Sequence, residues 1–251
     1  MSLVPFVIVD DDVSAVGSGD MVRVPGDQMR HIDTVLRLKH GSQVDVSDGR
    51  GNVAPGTYVG ASIEMRDACV HRTLPSPSIC VAQALPKGRK LDGIVKMVTE
   101  VGVDTIRLVD ADRSIATMDP HRAARQMARL KAVARAASMQ ARRAWLPDII
   151  APVSVDSLID IPGRLLVAHP SGASPSHDVT GSLLSAAIAC RDEQVEALTI
   201  AIGPEGGWSP AELDMFAAQG AVVVQMGDSI IRTEHAAGAA IAVIAAGTGR
   251  W

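Results

Sequence analysis

Two short apolar runs near the carboxyl-terminal end, each emptying into a glycine-bearing loop, restrict the fold of this chain more than any other feature. Leu198-Thr199-Ile200-Ala201-Ile202 runs into Gly203-Pro204-Glu205-Gly206-Gly207, and Val222-Val223-Val224-Gln225-Met226 runs into Gly227-Asp228-Ser229-Ile230-Ile231-Arg232-Thr233-Glu234. Apolar runs of this length, bounded by glycine and followed by helical patterns, read as buried parallel strands feeding loops at their carboxyl ends. Open α/β sheets bind ligands at those ends. The pattern predicts an α/β domain with a binding site in its last fifty residues.

Upstream, the texture changes twice. Residues 1 to about 75 alternate and turn often, as in Met21-Val22-Arg23-Val24, Gln43 to Ser47 before Asp48-Gly49, Thr57 to Gly60 and Ala61 to Met65. Period-two patterns cut by Gly, Asp and Pro predict a small antiparallel sheet or barrel, interrupted by one helical segment from His31 to Leu38. Thr73-Leu74-Pro75-Ser76-Pro77-Ser78 reads as a linker, because two prolines two apart break both helix and ladder. The boundary is therefore set between residues 75 and 76. Strand, loop and helix then alternate in the βαβ manner. Strands are expected at Ile79 to Leu85, Thr105 to Val109 and Arg164 to Ala168, and helices at Lys90 to Val101, His121 to Trp145 and Gly181 to Cys190. Ser209-Pro210-Ala211-Glu212 is a capping box with proline at the first helical position, and Thr233 is a candidate cap for the final helix.

Composition removes several classes of function. With 47% hydrophobic and 21% charged residues the chain is globular rather than disordered. No basic and apolar leader precedes Asp10-Asp11-Asp12, and Ala236 to Ala246 is too short for a membrane span. Cys69, Cys80 and Cys190 are odd in number and lack metal-ligand spacing, so neither a disulfide framework nor a metal site is expected, and a reduced cytoplasm is. The net charge of −4 hides an asymmetry: residues 76–150 carry 13 basic and 7 acidic groups, against 7 and 10 before them and 4 and 11 after. A central basic block suits a surface that meets phosphates, and it suits a solvated helix face equally well.

The paired carboxyl-terminal motifs, with Ile231-Arg232-Thr233-Glu234 intact, resemble those of the RsmE family of rRNA uridine N3-methyltransferases in the SPOUT superfamily. The resemblance extends through His31, Val35-Leu36-Arg37-Leu38, Gly41 and Asp48-Gly49 in the first segment. It continues through Lys87, Lys96, Glu100-Val101-Gly102-Val103, Arg113-Ser114, Gln140, Arg143 and Pro147 in the second. It implies a PUA-like RNA-binding β-barrel domain over residues 1–75 and a SPOUT methyltransferase domain over 76–251, with a parallel sheet and a carboxyl-terminal trefoil knot. It also implies S-adenosylmethionine as methyl donor, a homodimer, and N3 of a uridine in small-subunit (16S) rRNA as acceptor. This chain departs from the family at His235, where Thr is usual, and at Ala136 and Met139, where acidic residues are common.

Chemistry narrows the site residues. Glycines let the backbone approach a ligand closely, so main-chain groups can frame an adenine or a sulfonium. The cofactor contacts are expected from Gly203, Pro204, Glu205 and Gly206, from Met226, Gly227, Ser229, Ile230 and Ile231, and from a third loop at Val167, Ala168 and His169. Methyl transfer from a sulfonium needs in-line approach and a partner for developing charge, and no metal. Arg232 is the principal catalytic candidate, stabilising the uracil O2 or O4. It cannot act as a base, since guanidinium stays protonated. Glu205 is assigned to the cofactor or to orienting Arg232; alternatively Arg232 pairs with Glu205 or Glu234 and merely holds the loops. Glu234 suits the positive end of a helix dipole, and His235 suits helix-start packing. Arg37, Lys87, Arg89, Lys90, Lys96, Arg113, Arg122, Arg125, Arg129, Arg142 and Arg143 are expected to contact RNA phosphates. With aromatic residues at only 2%, stacking on bases is scarce, and Trp208 is either a stacking platform or core. Two rivals stay open: a SPOUT enzyme for another RNA site or a ribose hydroxyl, and a non-catalytic rRNA-binding assembly factor.

Overall fold

The computed structural model describes residues 4–32, 37–170 and 180–251. Val35 and Leu36, like the side chain of His31, lie outside the described residues, and so does half of the helix expected between His31 and Leu38. The chain divides into two compact units, Met1–Leu74 with Ser138–Leu146, and Pro75–Ala137 with Pro147–Trp251.

The first unit is built on β1 (Phe6–Ile8), β2 (Met21–Arg23), a short helix α1 (Gly26–His31), β3 (Gln43–Ser47), β4 (Asn52–Tyr58), β5 (Ser62–Met65) and β6 (Val70–His71). The strand order is β1-β3-β4-β5-β2, with β6 also on β4; β1 runs parallel to β3 and the other pairs are antiparallel. Val7, Val22, Val44, Val46, Ile63 and Met65 alternate inward to make its core. The β3–β4 turn is held by Asp48, whose carboxylate accepts from the Arg50 amide at 2.8 Å. Pro55 and Gly56 conceal β4 in the sequence. Pro55 is tolerated because it falls between the stretch of β4 paired with β6 and the stretch paired with β5, where no amide is needed on that side.

The second unit holds β7 (Ser78–Ala84), α2 (Leu91–Val101), β8 (Thr105–Asp110), α3 (Pro120–Ala141, whose last turn belongs to the first unit), β9 (Asp148–Ser154), β10 (Arg164–Ala168), β11 (Gly181–Ser182), α4 (Leu183–Asp192), β12 (Ala197–Ile202), α5 (Pro210–Ala218), β13 (Val222–Gln225) and α6 (Thr233–Gly247). Its seven strands are all parallel, in the order β11-β13-β10-β12-β7-β8-β9. Val81, Ile106, Leu166, Ile200 and Val224 are buried at 0% exposure in one core with residues of α2, α4 and α6, which explains why the central strands read as apolar runs. Helices α2 and α6 approach so closely at Gly238 that an added Cβ would meet the Met97 sulfur at 2.1 Å.

Three local expectations change. Strand β9 is hidden in the sequence by Pro152, which an edge strand accommodates. Gly181 and Ser182 form a short strand ahead of α4, and Ser182 caps that helix. Helix α3 stops at Ala141 instead of Trp145 because Arg142 takes a left-handed conformation, φ +56°. Its guanidinium donates to Asp45 at 2.5 Å and lies over the Phe6 ring at 5.6 Å.

Candidate functional site

In the sheet order β13-β10-β12, strands distant in the chain become neighbours, so the loops leaving their carboxyl ends converge. Together they line one cavity of about 1270 Å³. The loop after β12 leads into α5 through a complete capping box. The Ser209 hydroxyl accepts from the Glu212 amide at 3.2 Å, and the Glu212 carboxylate accepts from the Ser209 amide at 2.6 Å. The box is tied to the loop after β8, since Glu212 also accepts the Asp112 amide at 2.8 Å and Ser209 donates to the Asp112 carboxylate at 2.6 Å. Arg113 then donates to the Gly206 carbonyl at 3.2 Å.

Two of the glycines lie close against side chains. A Cβ on Gly203 would sit 3.2 Å from the Trp208 ring, and one on Gly206 would sit 3.1 Å from the Arg113 Cβ. Trp208 is core: it is 2% exposed, stands edge-on to Phe216 with centroids 5.2 Å apart, and donates its indole N–H to the Ala168 carbonyl at 3.3 Å. It thereby links the loops after β10 and β12.

The loop after β13 is open to solvent, with Ile230 83% exposed, and ends at the first turn of α6. Thr233, expected to cap α6, is its first helical residue, and Arg232 holds the cap position without a side-chain cap bond. The Thr233 hydroxyl instead donates to the Gly203 carbonyl at 3.0 Å and accepts from Gln83 at 3.1 Å. Gln83, a buried amide inside the apolar strand β7, thus fastens α6 to the first glycine loop.

Charge in the cavity wall is organised around Lys90. Its ammonium donates to Glu205 at 3.0 Å and to Glu234 at 3.1 Å, and the Lys87 amide donates to Glu205 at 3.2 Å. Burial pushes the Glu205 carboxyl up, but its own amide, the Lys90 ammonium and the Lys87 amide outweigh that and hold it below its ordinary value. Glu234 is lowered by its own amide and then by Lys90, and Lys90 is raised by its bonds to Glu205 and Glu234. Both acids are therefore anions at neutral pH and weak bases.

Of the residues expected at a cofactor, Ala168, His169, Gly203, Pro204, Glu205, Gly206, Met226, Gly227, Ser229, Ile230 and Ile231 line this cavity, as does Arg232. Val167 does not: it is 0% exposed and packs in the core with Trp208 and Phe216, on the opposite face of β10 from its neighbours. Arg232 is exposed. Among the described residues its guanidinium makes no hydrogen bond or ion pair, and Lys90 takes the acids considered as its partners.

The expected phosphate contacts separate into groups. Lys90 and Arg113 belong to the cavity wall, and Lys87 and Arg89 are exposed beside it. Arg122, Arg125 and Arg129 share the exposed face of α3, where Arg122 pairs with Asp119 at 3.6 Å and Arg129 with Asp92. Lys96 lies 3.9 Å from Glu100. Arg37 is exposed in the first unit. Arg142 is committed to Asp45 and Phe6, and Arg143 is half-buried. Sequence reasoning missed the fastening role of Gln83, although a lone amide in an apolar strand was a signal. It also missed the Asp112 latch, which no local spacing announces.

Residues 73–245 match the model of an RNA methyltransferase domain, and residues 24–62 match that of an RNA methyltransferase PUA domain. A parallel-sheet α/β domain with an amino-terminal PUA-like β domain is thus the class of this protein. Ribosomal RNA small subunit methyltransferase E from Mycobacterium bovis is 31% identical over 238 residues, covering 93% of this chain and 89% of that protein. The protein of the same name from Bacillus subtilis is 26% identical, covering 85% of each chain. The fold is similar to that of ribosomal RNA small subunit methyltransferase E from Neisseria gonorrhoeae bound to S-adenosyl methionine, with a TM-score of 0.76 at 24% identity over 97% of this chain and 98% of that one. It is similar also to a Legionella pneumophila methyltransferase in complex with the same cofactor, with a TM-score of 0.79 at 22% identity over 98% of each. The chain belongs to the RsmE family of ribosomal RNA small subunit methyltransferases.

Proposed function

We propose that the protein transfers a methyl group from S-adenosylmethionine to N3 of a uridine in small-subunit rRNA. One observation carries this reading: the two glycine loops and the loop after β10 wall a single cavity, with Arg232 on its rim. The residues present fit the cofactor. The cavity exceeds the few hundred Å³ a small organic ligand needs, and its wall combines main chain at Gly203, Gly206 and Gly227 with apolar Ile202, Leu213 and Met226.

The bound cofactor supplies an electrophilic methyl on a sulfonium. The glycine loops orient it, and Arg232 pairs with the uracil O2 or O4 as the N3 proton departs. Glu205 and Glu234 are held as anions of low basicity by Lys90, so their part is to hold the loops rather than to drive the loss of that proton. The basic face of α3 with Lys87 and Arg89 would grip phosphates, and the PUA-like domain would add Arg37. A homodimer, a knotted carboxyl-terminal half, a boundary near residue 75 and a cytoplasmic location belong to the same reading. Among the described residues no helix is long and apolar enough to cross a membrane.

The test incubates the protein with S-adenosylmethionine and small subunits from a strain lacking the modification, followed by nuclease digestion and mass spectrometry. Formation of 3-methyluridine is expected. A methylated ribose would move the acceptor, and absence of both methylation and cofactor affinity would leave an rRNA-binding assembly factor.

A further inference from the structure

We propose that Lys90 is a positioning residue: a counter-ion shared by Glu205 and Glu234 that keeps the first glycine loop and the first turn of α6 at a fixed separation. As an account of catalysis this rests on reading the cavity as the methyl-donor site. The three groups stand far apart in the chain, Lys90 being 115 residues from Glu205 and 144 from Glu234, yet one ammonium meets both carboxylates. Oxygens 3.0 and 3.1 Å from one nitrogen can be no more than 6.1 Å apart. At that spacing two anions repel, so without the cation the 203–207 loop and α6 would be driven apart. That movement would shift Arg232, which immediately precedes α6, relative to the glycine loop. Among the described residues the other charged or titratable groups in the cavity wall are Arg113, His169, Asp228 and Arg232. Arg113 is turned to the Gly206 carbonyl, so it does not stand in for the lysine between the two acids.

Exposure decides what kind of role this is. The side chains of Lys90, Glu205 and Glu234 are 36%, 34% and 19% exposed, so water screens their attraction and their share of global stability is small. The consequence is local geometry in two loops, and the measurements are chosen for that.

Four full-length forms are compared: the wild type, Lys90→Met, Lys90→Arg, and the triple variant Lys90→Met/Glu205→Gln/Glu234→Gln. Calorimetry with S-adenosylmethionine and hydrogen exchange over residues 203–207 and 232–236 are the readouts. Lys90→Met is expected to raise exchange in both segments and to weaken cofactor binding roughly tenfold, as for a lost charged hydrogen bond. Lys90→Arg, with several donors on one cation, should restore both properties. The triple variant, with no anions left to repel, should recover slow exchange in both segments. Lysine acting through packing alone predicts no such recovery, so a triple variant as mobile as Lys90→Met overturns the proposal, as does unchanged exchange in either segment of Lys90→Met. A wild type without cofactor affinity would overturn the methyl-donor reading instead, and the exchange data would still decide the clamp.

Discussion

Arg250 follows α6 and holds it to the sheet, and its replacement by alanine should destabilise the second unit although it lies away from the cavity. Its guanidinium donates to both carboxylate oxygens of Asp104, the second at 2.7 Å, and to the carbonyls of Pro77 and Gly102 at 2.9 Å each. The side chains of Arg250 and Asp104 are 5% and 8% exposed. Removing one partner of a buried pair strands the other charge, at a cost of about 3–5 kcal/mol. Asp104 keeps the amide of Ile79 at 2.8 Å among its partners, which places the expected loss toward the lower end of that range. At about 2–4 °C per kcal/mol for a chain of this size, the melting transition should fall by roughly 6–12 °C for a loss near 3 kcal/mol. The assay is urea and thermal unfolding followed by circular dichroism, with Arg250→Ala/Asp104→Asn recovering part of the loss. Cofactor affinity of the folded variant at 25 °C should stay within about threefold of the wild type, since Arg250 does not line the cavity. A loss below about 1 kcal/mol would mean the pair behaves as a solvated surface bridge, and the reasoning from burial would be wrong.

Arg232→Ala should keep cofactor affinity while lowering turnover by about 10²- to 10³-fold, the usual effect of removing one charge-stabilising donor; unchanged turnover in the methylation assay would remove Arg232 from the mechanism. Ser209→Ala breaks the capping box and the Asp112 bond, and calorimetric melting should register a loss of about 1–2 kcal/mol. Changing Arg122, Arg125 and Arg129 together to glutamine should weaken rRNA binding and lower the slope of log affinity against log salt by about 2, since each phosphate left without its arginine accounts for roughly 0.7–0.9 of that slope; an unchanged slope would reduce the α3 face to solvated charge. The Lys90 clamp has a definite pH window. Glu205 and Glu234 lie below their ordinary 4.5, so their contribution is complete above 4.5 and is lost as pH falls through the depressed values. Lys90 lies above 10.5, so its contribution is complete below 10.5 and is lost as pH rises through the raised value. Loop exchange, corrected for its intrinsic pH dependence, should therefore be flat between, and a transition near pH 7 would contradict the clamp.

The parallel strands were legible because burial on both faces leaves runs without alternation, as in Leu198 to Ile202 and Val222 to Gln225. The capping box was legible because its donors and acceptors lie three residues apart, a local code that tertiary contacts only reinforced. What escaped was set by distant partners. Strands β4 and β9 carry Pro55 and Pro152, and each proline is acceptable only because of which neighbour the sheet places beside it, or leaves out. The end of α3 depends on Arg142 finding Asp45, about a hundred residues back. Lys90 read as a phosphate contact, because nothing near residue 90 reveals that acids at 205 and 234 will meet it.

The sheet order explains why the site can be built from such a short stretch of chain. With β10 between β13 and β12, three consecutive strands in space deliver loops beginning near residues 169, 203 and 226 to one cavity. Two of the loops are then fixed by groups from outside them: Trp208 holds the Ala168 carbonyl, and Arg113 and Thr233 hold the Gly206 and Gly203 carbonyls of the loop after β12. A side chain at Gly203 or Gly206 would press on Trp208 or Arg113, which would have to shift slightly to admit it whether or not a ligand is bound. Replacing Gly203 by alanine should therefore perturb the Trp208 side before it obstructs the cavity. Shifted near-ultraviolet Trp dichroism in the ligand-free variant would show that order of events, and an unchanged spectrum with lost cofactor affinity would reverse it.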